Sequence, residues 1–125
     1  MVIDTDNYSI PKWFDKKKQE VTEIDAIDKI IKMVNNFDGI FKYDLICSNC
    51  PNLTEINSKV NGYLDCYNCS NLTKISGKVN RNLYCYNCPK LTEISGKVNG
   101  YLNCSNCPKL TKLPDKVNGD LEWTL

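Results

Sequence analysis

The sequence predicts an α+β solenoid, in which short coils stack into a parallel β-sheet behind an N-terminal α-helical cap. Three observations carry this. From Cys47 a 19-residue unit is written four times without slippage: Cys47-Ser48-Asn49-Cys50 returns as Cys66-Tyr67-Asn68-Cys69, Cys85-Tyr86-Asn87-Cys88 and Cys104-Ser105-Asn106-Cys107. Inside the unit, Leu64-Asp65-Cys66-Tyr67 alternates apolar and polar, the period-2 mark of a half-buried strand. Ahead of the repeats, Ile24, Ile27, Ile30, Ile31 and Val34 recur at the spacing of a helix with one buried stripe. A unit this short cannot bury an apolar face alone, so the copies must stack and share a core.

Residues 1–42 are read as the cap, because the first coil of a stack exposes apolar side chains that something amphipathic must cover. Residues 1–20 are polar; the run Lys16-Lys17-Lys18 is too short for a basic tail and fits a solvated helix start or loop. The helix is predicted over 22–36, with Thr22 as N-cap and Asp25 three residues on, and it ends at Asn35-Asn36 and Asp38-Gly39. From Ile40 the period changes to alternation, and residues 43–125 form the solenoid, with coils 47–65, 66–84, 85–103 and 104–122 and a few closing residues.

Apolar columns recur at Leu53/72/91/110, at Ile56/75/94 with Leu113, at Val60/79/98/117 and at Leu64/83/102/121. Each strand is expected to be followed by a turn-rich return path, since 19 residues leave little room for a helix. Asn61-Gly62, Asn99-Gly100 and Asn118-Gly119 signal turns, whereas the third copy has Asn80-Arg81; either that turn needs no positive φ or Arg81 is strained. Trp123 falls in the column of Cys47, Cys66, Cys85 and Cys104 and is expected to plug the last coil.

The column Glu55, Lys74, Glu93, Lys112 alternates in sign and reads as a device that fixes register, each opposite pair contributing roughly 0.2–1 kcal/mol. The column Lys59, Lys78, Lys97, Lys116 stacks like charges about 5 Å apart. It is either a solvated turn kept by duplication or a surface for phosphates or an acidic partner.

The pattern Leu64-x-Cys66-x-x-Cys69-x-x-Leu72-Thr73-x-Ile75 resembles the leucine-rich repeat in its cysteine-containing variants, where a strand is followed by a buried Asn or Cys. The likeness covers residues 45–125. It departs from the usual form in its short period, in the step of four positions rather than three from Val60 to Leu64, and in the late position of the next Leu. The resemblance implies stacked coils lined by a parallel sheet and a role in binding proteins.

At 125 residues, 42% apolar and 25% charged, the chain has the composition of one soluble domain. A formal charge of +1 gives no bulk attraction to nucleic acid or membrane. The acidic start Met1-Val2-Ile3-Asp4-Thr5-Asp6 lacks the pattern of a signal peptide, and no apolar run approaches the roughly 18 residues of a membrane span. A cytoplasmic location with reduced thiols is the expectation.

Without histidine, Ser-His and Cys-His nucleophiles are excluded. Ser76-Gly77-Lys78-Val79 lacks the earlier glycine and the following Ser/Thr of a phosphate loop. No enzyme and no cofactor are expected.

The eight cysteines, Cys47, Cys50, Cys66, Cys69, Cys85, Cys88, Cys104 and Cys107, have the C-x2-C-x15-C-x2-C spacing of a zinc site. The repeat by itself already imposes that spacing. Cys66 alternates in phase with Leu64, so its thiol is expected inside, as a small hydrophobe. A ladder of buried thiols is the leading reading, with structural zinc or inter-coil disulfides as alternatives.

Alternation turns three residues of each strand outward: Asp44, Ile46, Ser48; Tyr63, Asp65, Tyr67; Asn82, Tyr84, Tyr86; Tyr101, Asn103, Ser105; Asp120, Glu122, Thr124. Five of the seven tyrosines and none of the sixteen basic residues lie there, with a charge of −4 from Asp44, Asp65, Asp120 and Glu122. Tyr63, Asp65, Tyr67, Tyr84, Tyr86, Tyr101, Asp120 and Glu122 are the candidate partner-binding residues, suited to a basic protein surface. The plain alternative is that tyrosine simply suits a strand surface.

The expected function is a non-enzymatic interaction module, a small inhibitor or adaptor. An inhibitor of bacterial defence carried by a phage or mobile element, of anti-CRISPR type, fits the size and charge pattern. A nucleic-acid binder built on structural zinc or on the Lys column, and a purely structural repeat, are the alternatives.

Overall fold

A computed structural model of the chain describes residues 2–3, 34–35, 39–42 and 44–124. The repeat columns become the walls of a three-sided parallel β-solenoid of about four turns. Each coil runs through three two-residue strands or bridges, and each stacks on its copy 19 residues away.

The tyrosine sheet orders β3 (Leu45–Ile46), β6 (Leu64–Asp65), β8 (Leu83–Tyr84), β10 (Leu102–Asn103) and β11 (Leu121–Glu122). The glutamate–lysine sheet contains β4 (Glu55–Ile56), β7 (Lys74–Ile75) and β9 (Glu93–Ile94), continued by a Glu93–Lys112 bridge. The valine sheet contains β1 (Val2–Ile3), β2 (Ile40–Phe41) and β5 (Lys59–Val60), continued by bridges through Val79, Val98 and Val117. The turn-rich return path expected from the sequence also carries two of the three sheets.

The core is the set of repeated columns. Leu53, Leu72, Leu91, Ile56, Ile75, Ile94, Val60, Val79, Val98, Leu64, Leu83 and Leu102 are all fully buried. Backbone hydrogen bonds run along the stack, as in Leu64 N–H to Asn82 O at 2.9 Å and Leu83 N–H to Tyr101 O at 2.8 Å. Side chains repeat the same direction. Thr73 and Thr92 hydroxyls donate to the carbonyls of Thr54 and Thr73, and the amides of Asn61, Asn80, Asn99 and Asn118 link in series at 3.2–3.4 Å. Glu93 lies 3.9 Å from Lys74 and 3.8 Å from Lys112, so the alternating charges do meet across coils.

Turn chemistry differs from the sequence reading. The left-handed residues are Asn49, Asn68, Asn87 and Asn106 (φ 56–59°), the Asn inside each CxxC, and not the Asn-Gly pairs. Asn tolerates this conformation better than most side chains. Arg81 has no positive φ and is exposed, so the Asn80-Arg81 turn needs none. Glycine serves close approach instead: a Cβ on Gly77 would stand 1.7 Å from the Ser58 carbonyl oxygen.

The predicted helix over 22–36 lies outside the described residues except for Val34 and Asn35, which are helical; the other described residues are strand, bridge, turn or irregular. These two stand one repeat before Leu53 and Thr54 and behave as part of a preceding coil. Val34 is fully buried. Asn35 Oδ1 accepts from Thr54 N–H at 2.9 Å and Glu55 N–H at 3.3 Å, and its Nδ2 donates to Asn52 O at 3.0 Å. In later coils that acceptor is a backbone carbonyl, Thr54 O for Thr73 N–H. Val2–Ile3, within a stretch read only as polar, pairs in parallel with Ile40–Phe41 and adds an outer rung to the valine sheet.

At the other end Trp123 is 40% exposed and Leu121 47%, so the indole does not plug the last coil. Its column aims it at the core axis, but no further coil lies above it among the described residues.

Candidate functional site

The outward face of the tyrosine sheet is built by alternation. Leu45, Cys47, Leu64, Cys66, Leu83, Cys85, Leu102 and Cys104 turn inward and are buried, while the residues between them are half-buried or exposed. Strict parallel register, Leu64 opposite Leu83 and Asp65 opposite Tyr84, sets their side chains in three columns. The first is Asp44, Tyr63, Asn82, Tyr101, Asp120; the second Ile46, Asp65, Tyr84, Asn103, Glu122; the third Ser48, Tyr67, Tyr86, Ser105, Thr124.

Two tyrosine clusters result. Tyr67 and Tyr86 stack face to face with centroids 4.6 Å apart and planes 5° from parallel. Tyr84 and Tyr101 meet at 5.9 Å and 60°. The Tyr101 hydroxyl donates to Glu122 Oε2, which holds its proton on and pushes its pKa up to about 12. Asn82 links this cluster: its Nδ2 donates to the Tyr84 hydroxyl at 3.0 Å, and its Oδ1 accepts from Tyr101 N–H at 2.9 Å. Sequence reasoning placed Asn82 on the face but not among the binding candidates. Its signal was the first column, where Asp or Asn alternates with Tyr.

The acidic residues are not equivalent. Asp44 Oδ1 accepts from Tyr63 N–H at 2.9 Å, the same bond that Asn82 makes one step along, so this carboxylate has a structural partner. Asp65 Oδ1 is buried with no hydrogen-bond partner. Burial, and then the Asp44 charge, raise the Asp65 pKa above its ordinary value of 3.8. Burial, followed by Asp44 and Asp65, raises Tyr63 as well. Asp120 and Glu122 lie on the exposed last rung. The face thus gathers Tyr63 and Asp65, Tyr67 with Tyr86, and Tyr84, Tyr101 and Glu122, and leaves Asp120 at its edge.

Behind this face the eight thiols are free. The second cysteine of each pair reaches back one coil: Cys69 Sγ donates to Cys47 O at 3.2 Å, Cys88 to Cys66 O at 3.3 Å and Cys107 to Cys85 O at 3.2 Å. Cys50 turns instead to Ser48 O at 3.4 Å. Burial pushes the Cys66 and Cys85 thiols far up and Cys50 to about 11. These weak donors answer carbonyls beside the left-handed Asn turns, a reason for cysteine there rather than leucine. Among the described residues no group of three or more Cys, Asp or Glu is arranged to hold a metal ion.

Lys59, Lys78, Lys97 and Lys116 line the valine sheet, away from the tyrosines. Among the described residues no helix is long and apolar enough to cross a membrane. Comparison with protein-family models, with curated proteins and with solved structures finds no match to this chain.

Proposed function

We propose that the chain is a non-enzymatic interaction module whose tyrosine sheet binds a basic protein surface and acts by occupying it, as an inhibitor or adaptor. The observation that carries this is Asp65. A carboxylate oxygen buried without a partner, among tyrosines and near a second acid, costs stability in the free protein. A guanidinium or ammonium group from a partner would satisfy it, and the flanking rings offer contact area and cation–π attraction. Tyr67 and Tyr86, already stacked, add a rigid platform. In the same reading the N-terminal segment, helix included, is a cap that closes one end of the stack and leaves the sheet free. The leucine-rich-repeat likeness of the motif, and an anti-CRISPR type of inhibition, agree with this but are not needed for it.

The test compares wild type, Asp65→Asn, Asp65→Lys, Tyr67→Ala and the double change Lys78→Glu with Lys97→Glu. Basic proteins retained from a lysate are identified by mass spectrometry and their affinities measured with purified partner. Asp65→Asn is expected to melt higher than wild type yet bind more weakly. The folded-state pKa of Asp65 is raised, so wild type loses stability as pH rises from 3.8 through that raised value, and the Asn variant does not. Asp65→Lys should lower affinity at least about 30-fold, the scale of a hot spot. Binding abolished by the Lys changes but untouched at Asp65 and Tyr67 moves the functional surface to the Lys column, and with it the nucleic-acid or acidic-partner reading.

A further inference from the structure

The third column of the tyrosine sheet reads Ser48, Tyr67, Tyr86, Ser105, Thr124, so a serine borders the ring pair on either side. The two ring centroids are 4.6 Å apart and the planes within 5° of parallel, a separation close to the ~4.8 Å between neighbouring strands. The rings therefore lie across the stack, and the second face of Tyr67 turns towards the Ser48 rung. Serine takes little of the space that a third ring would fill. Ser48 Oγ and Ser105 Oγ are both buried without a hydrogen-bond partner.

The two flanks differ in their acid. Ile46 is opposite Asp65, which sets Asp65 diagonally beside Ser48. Asp65 Oδ1 also has no hydrogen-bond partner, and the residue as a whole is half-buried, so its carboxylate is only partly enclosed. Beside Ser105 the diagonal places hold Tyr84 and Glu122, and Glu122 already accepts the Tyr101 hydroxyl. Among the described residues, the Ser48 flank alone joins a tyrosine face to an unanswered carboxylate and an unanswered hydroxyl.

That combination selects among cations. An ammonium is a compact, strongly hydrated point charge and gains nothing from lying flat. A guanidinium is planar, stacks on aromatic faces and directs five N–H donors outward in its own plane. Laid on the second face of Tyr67, it can give a forked pair of bonds to Asp65 and a further one to Ser48 Oγ. None of the outward residues of this sheet is basic, so the chain does not fill the place from the sheet itself.

We propose that Ser48, Asp65 and Tyr67 form a seat for one arginine side chain of a partner protein, its guanidinium extending the Tyr67–Tyr86 stack. This rests on the reading of the tyrosine sheet as the surface that meets a basic protein, and it narrows that protein to one that presents an exposed arginine.

The test titrates the full chain with three acetylated and amidated pentapeptides, Gly-Gly-X-Gly-Gly, in which X is arginine, lysine or citrulline. Each is taken to about 20 mM while the backbone amide resonances are followed by NMR. The arginine peptide is expected to shift the amides of Ser48, Asp65 and Tyr67 together. It should bind at least about 5-fold more tightly than the lysine peptide, which has charge without the plane, and than the citrulline peptide, which has the plane without charge. Asp65→Asn, and Tyr67→Leu, which keeps bulk without the ring, should each weaken arginine binding at least about 5-fold, and Ser105→Ala should leave it unchanged. Circular dichroism checks the fold of each variant. An arginine peptide that leaves those three amides unmoved, or a preference over either other peptide smaller than about 5-fold, overturns the seat. So does arginine binding indifferent to Asp65→Asn. Lysine that matches arginine, with both lost in Asp65→Asn, removes the seat and leaves the basic-partner reading standing. That reading fails by a different result, a captured partner whose affinity ignores both Asp65→Lys and Tyr67→Ala.

Discussion

The two ends of this stack carry the same columns and treat them oppositely. At the N-terminal end Leu45, the counterpart of Leu121, is fully buried, and Cys47, the counterpart of Trp123, is 4% exposed; at the C-terminal end those two residues are 47% and 40% exposed. Both ends inherit the problem of any stack of parallel coils, a rung whose backbone groups and apolar side chains have lost a neighbour. At the first end the chain supplies stand-ins in register: Val34 for a leucine, Asn35 Oδ1 for a carbonyl, Val2–Ile3 for a rung. At the second, no described residue stands beyond Leu121 and Trp123 to cover them. Among the described residues, closure at the first end is carried by a few residues placed in register with the repeat.

That contrast can be broken in order of size. Val34→Asp puts a carboxylate into the closed end and should cost at least ~3 kcal/mol, a large share of what a domain this size holds. Chemical denaturation that places it within ~1 kcal/mol of wild type would mean the closed end does not depend on this residue. Asn35→Ala removes the acceptor for two edge amides and should cost about 1–2 kcal/mol, with faster hydrogen exchange at Thr54 and Glu55 than at Thr73 and Glu93. Uniform exchange along the column would show that solvent replaces the side chain without loss. Smallest of all, Leu121→Lys or Trp123→Lys at low micromolar concentration should change monomer stability by no more than ~0.5 kcal/mol, since each is already half in water. A loss near that of Val34→Asp would mean the open end is covered by something within the chain.

Much of this was legible in the sequence, and its limits are physical. A column repeated every 19 residues must point one way in every coil, so the inward leucines, valines and thiols could be read directly, as could the charge ladder at Glu93. Trp123 shows the limit: its column fixes its direction, while coverage depends on whether another coil follows. Val2–Ile3 left no trace, because a two-residue strand has no alternation and its partner lies 38 positions on. Asn35 has the sequence pattern of a helix stop, and only counting one repeat back from Thr54 shows it as a rung.

On the candidate face, counting charges made Asp44 and Asp65 equal. They differ because the Tyr63 amide lies within reach of Asp44, which a count of side chains does not register. The Asn inside each CxxC was similarly hidden, since nothing in Cys-Tyr-Asn-Cys says whether the Asn is chosen for its side chain or its φ. The helix over 22–36 stays an expectation apart from Val34 and Asn35.

Almost every backbone bond described here runs along one axis, and that gives the molecule a mechanical grain. A force pulling the C-terminus along the stack loads one rung at a time, as in opening a zip, whereas a sideways force loads many rungs together in shear. Held by its two ends in an optical trap, the protein should unravel from the β11 rung in successive steps. Each would release one 19-residue coil, about 65 Å of extended chain, before the rung beneath takes the load.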